Sequence, residues 1–308
     1  MRKGWIGICA LALSLAAPAD AATEGQIITV NPIVLKDAAQ KKDVILRVIV
    51  PAAGGRVPVI LFSHGAQYSK DDYLPLTEYW AAHGYAVIAP TFDDSTSLGI
   101  PRGDDRQKFA WRSRLLDMHK VIDSLDEIER ASPILKGRFD SKKIIAAGHS
   151  FGGHTTATLV NGTMPDENTD LTDKRVLAAA ALAPPGYAKG FRNVAWPDKI
   201  KPMLMIVGDQ DITPGFSDTW QVHADYYMKG PNGQCMAVMA GMKHYLGGIL
   251  GTNRTEEGQP PNAAALSEIQ RMTLAFFDTQ AKGSNAWPQL RDELLKTRPA
   301  PLAQFECK

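Results

Sequence analysis

Lys143-Ile144-Ile145-Ala146-Ala147-Gly148-His149-Ser150-Phe151-Gly152-Gly153 is the stretch from which the rest of the chain is read. An apolar run with β-branched residues breaks into a Gly-x-Ser-x-Gly turn, and a helical pattern follows over 153–160. In a strand, tight turn and helix of this kind the serine backbone is strained so that its hydroxyl is exposed. The positions two before and two after it then have no room for a side chain. Gly148 and Gly152 occupy them. The helix behind Ser150 aims its first amides at the reacting centre, which makes the Phe151 amide a natural oxyanion donor.

Outward from this turn, Val- and Ile-rich runs alternate with helical patterns, as in strands joined by crossover helices. Strands are expected at 27–35, 44–50, 57–62, 86–89, 143–147, 176–183, 202–207 and 235–240. The first two read as an antiparallel pair across the polar segment 36–43. Helices are expected at 74–83, 106–128, 153–160, 217–228 and 263–280. The connection after the sixth strand is too short for a large cap domain. The expected fold is α/β: a mostly parallel eight-stranded sheet flanked by helices, in a single domain over 22–308.

A serine hydroxyl needs a base oriented by a carboxylate. In the chain order Ser, acid, His, the acid follows a late strand, and Met203-Leu204-Met205-Ile206-Val207 runs into Gly208-Asp209-Gln210-Asp211-Ile212-Thr213-Pro214. Asp209 and Asp211 compete; the Gly-x-x-Asp spacing before a proline favours Asp211. After the last expected strand, His244 stands in the glycine-bounded loop 241–248 and is the expected base. The other histidines have plainer readings, His64 as a turn residue shaping the loop after the third strand and His223 as a helix residue. That loop, Ser63-His64-Gly65-Ala66, offers the Ala66 amide as the second oxyanion donor. Base protonation is expected to lower the rate at acid pH.

These motifs resemble serine esterases of the α/β-hydrolase fold. Leu61-Phe62-Ser63-His64-Gly65, His83-Gly84-Tyr85 with the strand after it, Asp104-Asp105-Arg106 before a long helix, and Gly148 to Gly153 resemble the platelet-activating-factor acetylhydrolase and predicted dienelactone hydrolase group. The resemblance covers 57–244 and implies a Ser-His-Asp ester hydrolase. Dienelactone hydrolases carry a cysteine nucleophile where Ser150 stands. Cutinase-like polyester hydrolases carry an aromatic and a methionine where Ala66 and Phe151 stand. An amidase or peptidase, a polyester hydrolase, and a binding protein that kept the fold are the competing readings.

The remaining composition narrows partners. Formal charge is +1, from 34 basic and 33 acidic residues, with no basic stripe. Nucleic acid is therefore not an expected partner; a small-molecule ester is. Arg2 and Lys3 precede an apolar run over 5–17 and a small-x-small site at Ala19-Asp20-Ala21, the pattern of a secretory signal at 1–21 rather than a stable membrane span. Secreted or periplasmic location follows as an expectation. Export removes Cys9 and leaves Cys235 and Cys307, which are expected either to bridge or to remain buried thiols. No cofactor is expected and no metal, since no His, Cys or Asp cluster has ligand spacing; the paired acids at 71–72, 93–94 and 104–105 read as solvated or capping. Tyr68, Tyr187 and Trp196 lie in loops expected to line the substrate pocket.

Overall fold

A computed structural model describes residues 25–101, 103–163, 170–188, 194–251 and 260–308; the expected signal at 1–21 lies outside them. The strands are β1 (Ile27–Asp37), β2 (Lys42–Pro51), β3 (Val57–Ser63), β4 (Ala86–Thr91), β5 (Phe139–His149), β6 (Val176–Leu182), β7 (Met203–Gly208), β8 (Gln234–Met239) and β9 (Leu302–Cys307). The α-helices are α1 (Leu74–Ala82), α2 (Asp105–Lys108), α3 (Ala110–Asp123), α4 (Leu125–Arg130), α5 (Phe151–Val160), α6 (Asp225–Lys229), α7 (Ala263–Lys282) and α8 (Ala286–Thr297).

All nine strands form one sheet in the order β1-β2-β4-β3-β5-β6-β7-β8-β9. Pairing is parallel from β4 through β3 to β8 and antiparallel at both edges. Two-residue periodicity sends alternate side chains to opposite faces. Val59 and Leu61 of β3 join the core under α3 and α5, whereas Ile60 and Phe62 join the core under α1 and α7. Both faces being covered, β4, β7 and β8 are buried throughout their length, and β5 is buried over its last six residues, which lead to Ser150.

Three expectations need correction. The sheet has a ninth strand, β9, antiparallel to β8 with Cys235 opposite Cys307, and those two cysteines are bridged. The helix expected at 106–128 is three helices, interrupted where Phe109 (φ −121°) and Ser124 (φ −105°) leave helical geometry. The helix expected at 217–228 is a 3-10 turn over Trp220–Ala224 leading into the short α6. In addition, α8 packs onto β9 through Trp287, whose ring centroid is 6.0 Å from that of Phe305. No helix among the described residues is long and apolar enough to cross a membrane.

The fold places the site by where parallel strands end. The loops after β3, β5, β7 and β8 all leave from the carboxyl edge of the sheet, where α/β sheets present their ligands.

Candidate active site

Ser150 follows β5 directly and has φ 55° and ψ −122°, a backbone that few non-glycine residues adopt. Its amide donates to Leu182 O at 2.8 Å, and α5 starts at the next residue. Space explains the flanking glycines. A methyl group on Gly152 would overlap the Ser63 carbonyl, and one on Gly148 would overlap the Gly152 carbonyl. The turn therefore sits against the end of β3. A methyl group added at Gly65 would lie 3.4 Å from Ser150 Cβ, so the loop after β3 borders the serine as well.

The structure brings the three separated residues together. His244 Nε2 lies 2.8 Å from Ser150 Oγ, and His244 Nδ1 lies 2.8 Å from Asp211 Oδ2. With Nδ1–H donating to the carboxylate, Nε2 presents its lone pair to the serine hydroxyl. Asp211 is 1% exposed and His244 keeps 20% of its side-chain surface. Of the two competing aspartates, it is thus Asp211 that meets the imidazole. Asp209 instead accepts from the Gly241 amide at 2.7 Å and ties the acid loop to the base loop.

Sequence spacing gave no sign of His223 here. Its ring lies beside the same carboxylate, Nε2 being 3.2 Å from Asp211 Oδ1, an oxygen that no hydrogen bond reaches among the described residues. Nδ1 must donate to Pro184 O at 2.8 Å, and Nε2 accepts from Ser217 Oγ at 3.1 Å. Burial, ahead of the nearby His244, pushes this imidazole below its usual range, so it is neutral at pH 7. Asp211, His223 and His244 also make a three-donor group that could hold a metal, which separated positions in the chain could not reveal. Two of the three, Asp211 and His244, are the residues that contact each other and Ser150.

The loop carrying Ala66 is held by two buried side chains, His64 and Arg114, and by the part-buried Asp94. His64 Nδ1 donates to Gly65 O at 2.7 Å while Nε2 accepts from the Phe92 amide at 3.0 Å. Burial, then the charge of Arg114, pushes His64 down to about 3, so it serves as a neutral turn residue. Arg114 donates to His64 O and Gly65 O and pairs with Asp94. Asp94 is therefore no solvated loop acid, correcting the reading of that pair; Asp104 does cap α2, accepting from the Arg106 amide at 2.9 Å.

The three aromatics expected at the pocket divide. Tyr68 stands between the two loops of the site, its ring 5.8 Å from Tyr73 and 5.9 Å from Tyr245. Tyr187 and Trp196 are placed in a packing cluster: Tyr187 donates to Val194 O at 2.7 Å, Trp196 donates to Tyr187, and both rings pack on Tyr226. Tyr245, next to the expected base, was not singled out by sequence, yet its ring is 5.6 Å from that of His244.

A mostly parallel sheet with a strained serine at the end of a central strand, and His and Asp on the following strand ends, is the arrangement of the α/β-hydrolase fold. Residues 19–173 match the model of the chlorophyllase family, and the chain belongs to that family. Chlorophyllase type 0 of Chenopodium album is 30% identical over 140 residues, 44% of this chain and 38% of that protein. The matched segment thus spans about two fifths of the relative's length. The match supports the esterase class and not the acetylhydrolase and dienelactone hydrolase group that the motifs resemble.

Proposed function

We propose that this protein is an exported hydrolase of carboxylic esters, with Ser150 as nucleophile, His244 as base and acid, and Asp211 as the orienting carboxylate. The observation that carries this reading is the pair of 2.8 Å contacts, Ser150 to His244 and His244 to Asp211. As Ser150 Oγ bonds to the ester carbon, its proton passes to His244 Nε2 and the carbonyl electrons move to oxygen. The amides of Phe151 and Ala66 hold that oxyanion. Collapse breaks the bond to the alcohol oxygen, which takes the proton from Nε2 and leaves. Water then attacks the acyl-enzyme while Nε2 accepts its proton, and the second collapse releases the acid and restores Ser150. His244 carries every proton, so the cycle requires no cofactor.

The relative's name points to chlorophyll as its substrate. For this chain we assign the wider class, small-molecule esters bearing a bulky apolar group. Supporting that class is a cleft of about 530 Å³ that the loop carrying His244 reaches at Gly247 and Gly248; Leu74, Pro75, Leu250, Pro261 and Leu266 line it together with the polar Asp71, Glu78 and Asn262. Export is supported by the signal pattern at 1–21 and by the Cys235–Cys307 bridge, since such bridges persist in oxidising compartments.

The test is labelling with a p-nitrophenyl phosphonate followed by peptide mass analysis. A single adduct on Ser150 is the expected result. A folded protein that takes no label, or takes it elsewhere, would overturn the reading.

A further inference from the structure

We infer that Arg114 is a positioning residue that sets the oxyanion hole by holding both of its amide donors, an inference that rests on the serine hydrolase reading above. Its side chain is fully buried on α3 and lies between two rings, the guanidinium carbon being 4.5 Å from the Phe92 centroid and 4.2 Å from that of Phe151. Nε and Nη2 donate to the two oxygens of Asp94 at 2.8 and 2.7 Å. Nη1 donates to His64 O at 2.6 Å and Nη2 to Gly65 O at 3.3 Å. Asp94 in turn accepts from the Gln67 amide at 3.2 Å. One ion pair therefore grips the loop at residues 64, 65 and 67, on both sides of Ala66.

Peptide planarity carries this grip to the donor. The Gly65 carbonyl and the Ala66 amide belong to one trans unit, so fixing the carbonyl fixes the N–H in the opposite direction. That carbonyl accepts from His64 Nδ1 at 2.7 Å, from Arg114 Nη2 and from the Tyr68 amide at 3.3 Å. The Ala66 N–H is thereby turned away from the Arg114 side. The same guanidinium braces Phe151, whose amide is the other donor, through its ring.

Packing alone does not call for a charge at this position. A buried ion pair stabilises little beyond an apolar side chain of equal volume, because both charges lose their water. Methionine would fill the slot between Phe92 and Phe151, but it could not orient two carbonyls. Lysine would keep the charge and lose the planar fork.

The test compares wild type with Arg114→Met, Arg114→Lys, Asp94→Asn and Ser150→Ala. Active sites are counted by phosphonate titration, so that kcat is expressed per titrated serine, and the affinity for phenylboronic acid, which forms a tetrahedral adduct on a serine, is measured alongside. Outright loss of one oxyanion donor lowers kcat by about 10²–10³. A misdirected donor should lower kcat per site by about 10- to 100-fold in Arg114→Met, with KM within about threefold and boronate affinity falling in parallel with kcat/KM. Lysine should not rescue it, and Asp94→Asn should fall in between. A purely structural role would reduce the number of titratable sites and leave kcat per site and boronate affinity at wild-type values, which would overturn the inference. Should the Arg114 variants not fold, Asp94→Asn decides alone, wild-type kcat per site again overturning it. Full activity in Ser150→Ala would instead sink the serine hydrolase reading, so the two failures are distinguishable.

Discussion

The Tyr73 hydroxyl lies 2.8 Å from His149 Nδ1, and this contact is the middle of a directed chain that links the two sides of the site. His149 Nε2 must donate to the carbonyl of His244 at 2.8 Å, so Nδ1 is an acceptor and Tyr73 donates to it. The same hydroxyl accepts from the Gly65 amide at 3.1 Å. Burial, then repulsion between the two rings whenever His244 carries a proton, pushes His149 well below the usual imidazole range, and a neutral His149 keeps the chain in this polarity.

Tyr73→Phe removes the middle of that chain and leaves the Gly65 N–H and His149 Nδ1 buried without partners. Each such loss costs about 1–3 kcal/mol, so unfolding free energy should drop by about 2–6 kcal/mol. Urea denaturation checks it; a change within 0.5 kcal/mol would show that the hydroxyl is not needed. Because the chain ends on the backbone of His244, kcat should fall several-fold as well.

The two aspartates of the acid loop separate by function. Asp211→Asn should lower kcat by about 10³–10⁴-fold with little loss of stability, because an amide cannot hold the His244 tautomer that presents Nε2 to Ser150. Asp209→Ala should cost about 1 kcal/mol through the lost bond to the Gly241 amide and keep most of the activity. Steady-state kinetics on the two variants decides, and the reverse ranking would exchange their roles.

Acid should destabilise this protein already between about pH 7 and pH 5. His64 and His154 are pushed down to about 3, and His149 and His223 are pushed below their usual range, burial being the first cause in each. The unfolded chain therefore binds protons below about pH 6.5 that the folded chain refuses. Stability present above that pH is lost on acidification, each histidine contributing up to about 1.4 kcal/mol per pH unit until its folded pKa is reached. Asp117, pushed up to about 6 by burial, acts in the opposite sense, one group against four. The urea midpoint should fall steadily from pH 7 to pH 5; a midpoint that held or rose would contradict the assignment of four neutral buried histidines.

What sequence could reveal follows from the range of each signal. Ser150 and its glycines lie within five consecutive residues, and Asp211 and His244 follow strands whose apolar runs are themselves legible, so the three side chains that meet could be named in chain order. Arg114 could not. It looks like one charge among several on a helix, and its meaning comes from Asp94, His64, Gly65 and Phe151, which only the fold gathers. His223 was hidden for the same reason. β9 escaped notice because a register shift opposite Val238 and Met239 leaves Leu302 and Phe305 both buried, a three-residue spacing that does not alternate as strands do. For α8 a signal was present: Trp287, Leu290 and Leu294 fall on one helical face.

Whether Ser150 is the nucleophile of an esterase is tested by hydrolysis of p-nitrophenyl esters, acetate through palmitate, by the purified protein beside its Ser150→Ala variant. The wild type should release p-nitrophenol at a rate unchanged after dialysis against EDTA, and the variant should lose at least about 10³-fold. Undiminished hydrolysis by a folded Ser150→Ala protein would contradict that role for Ser150.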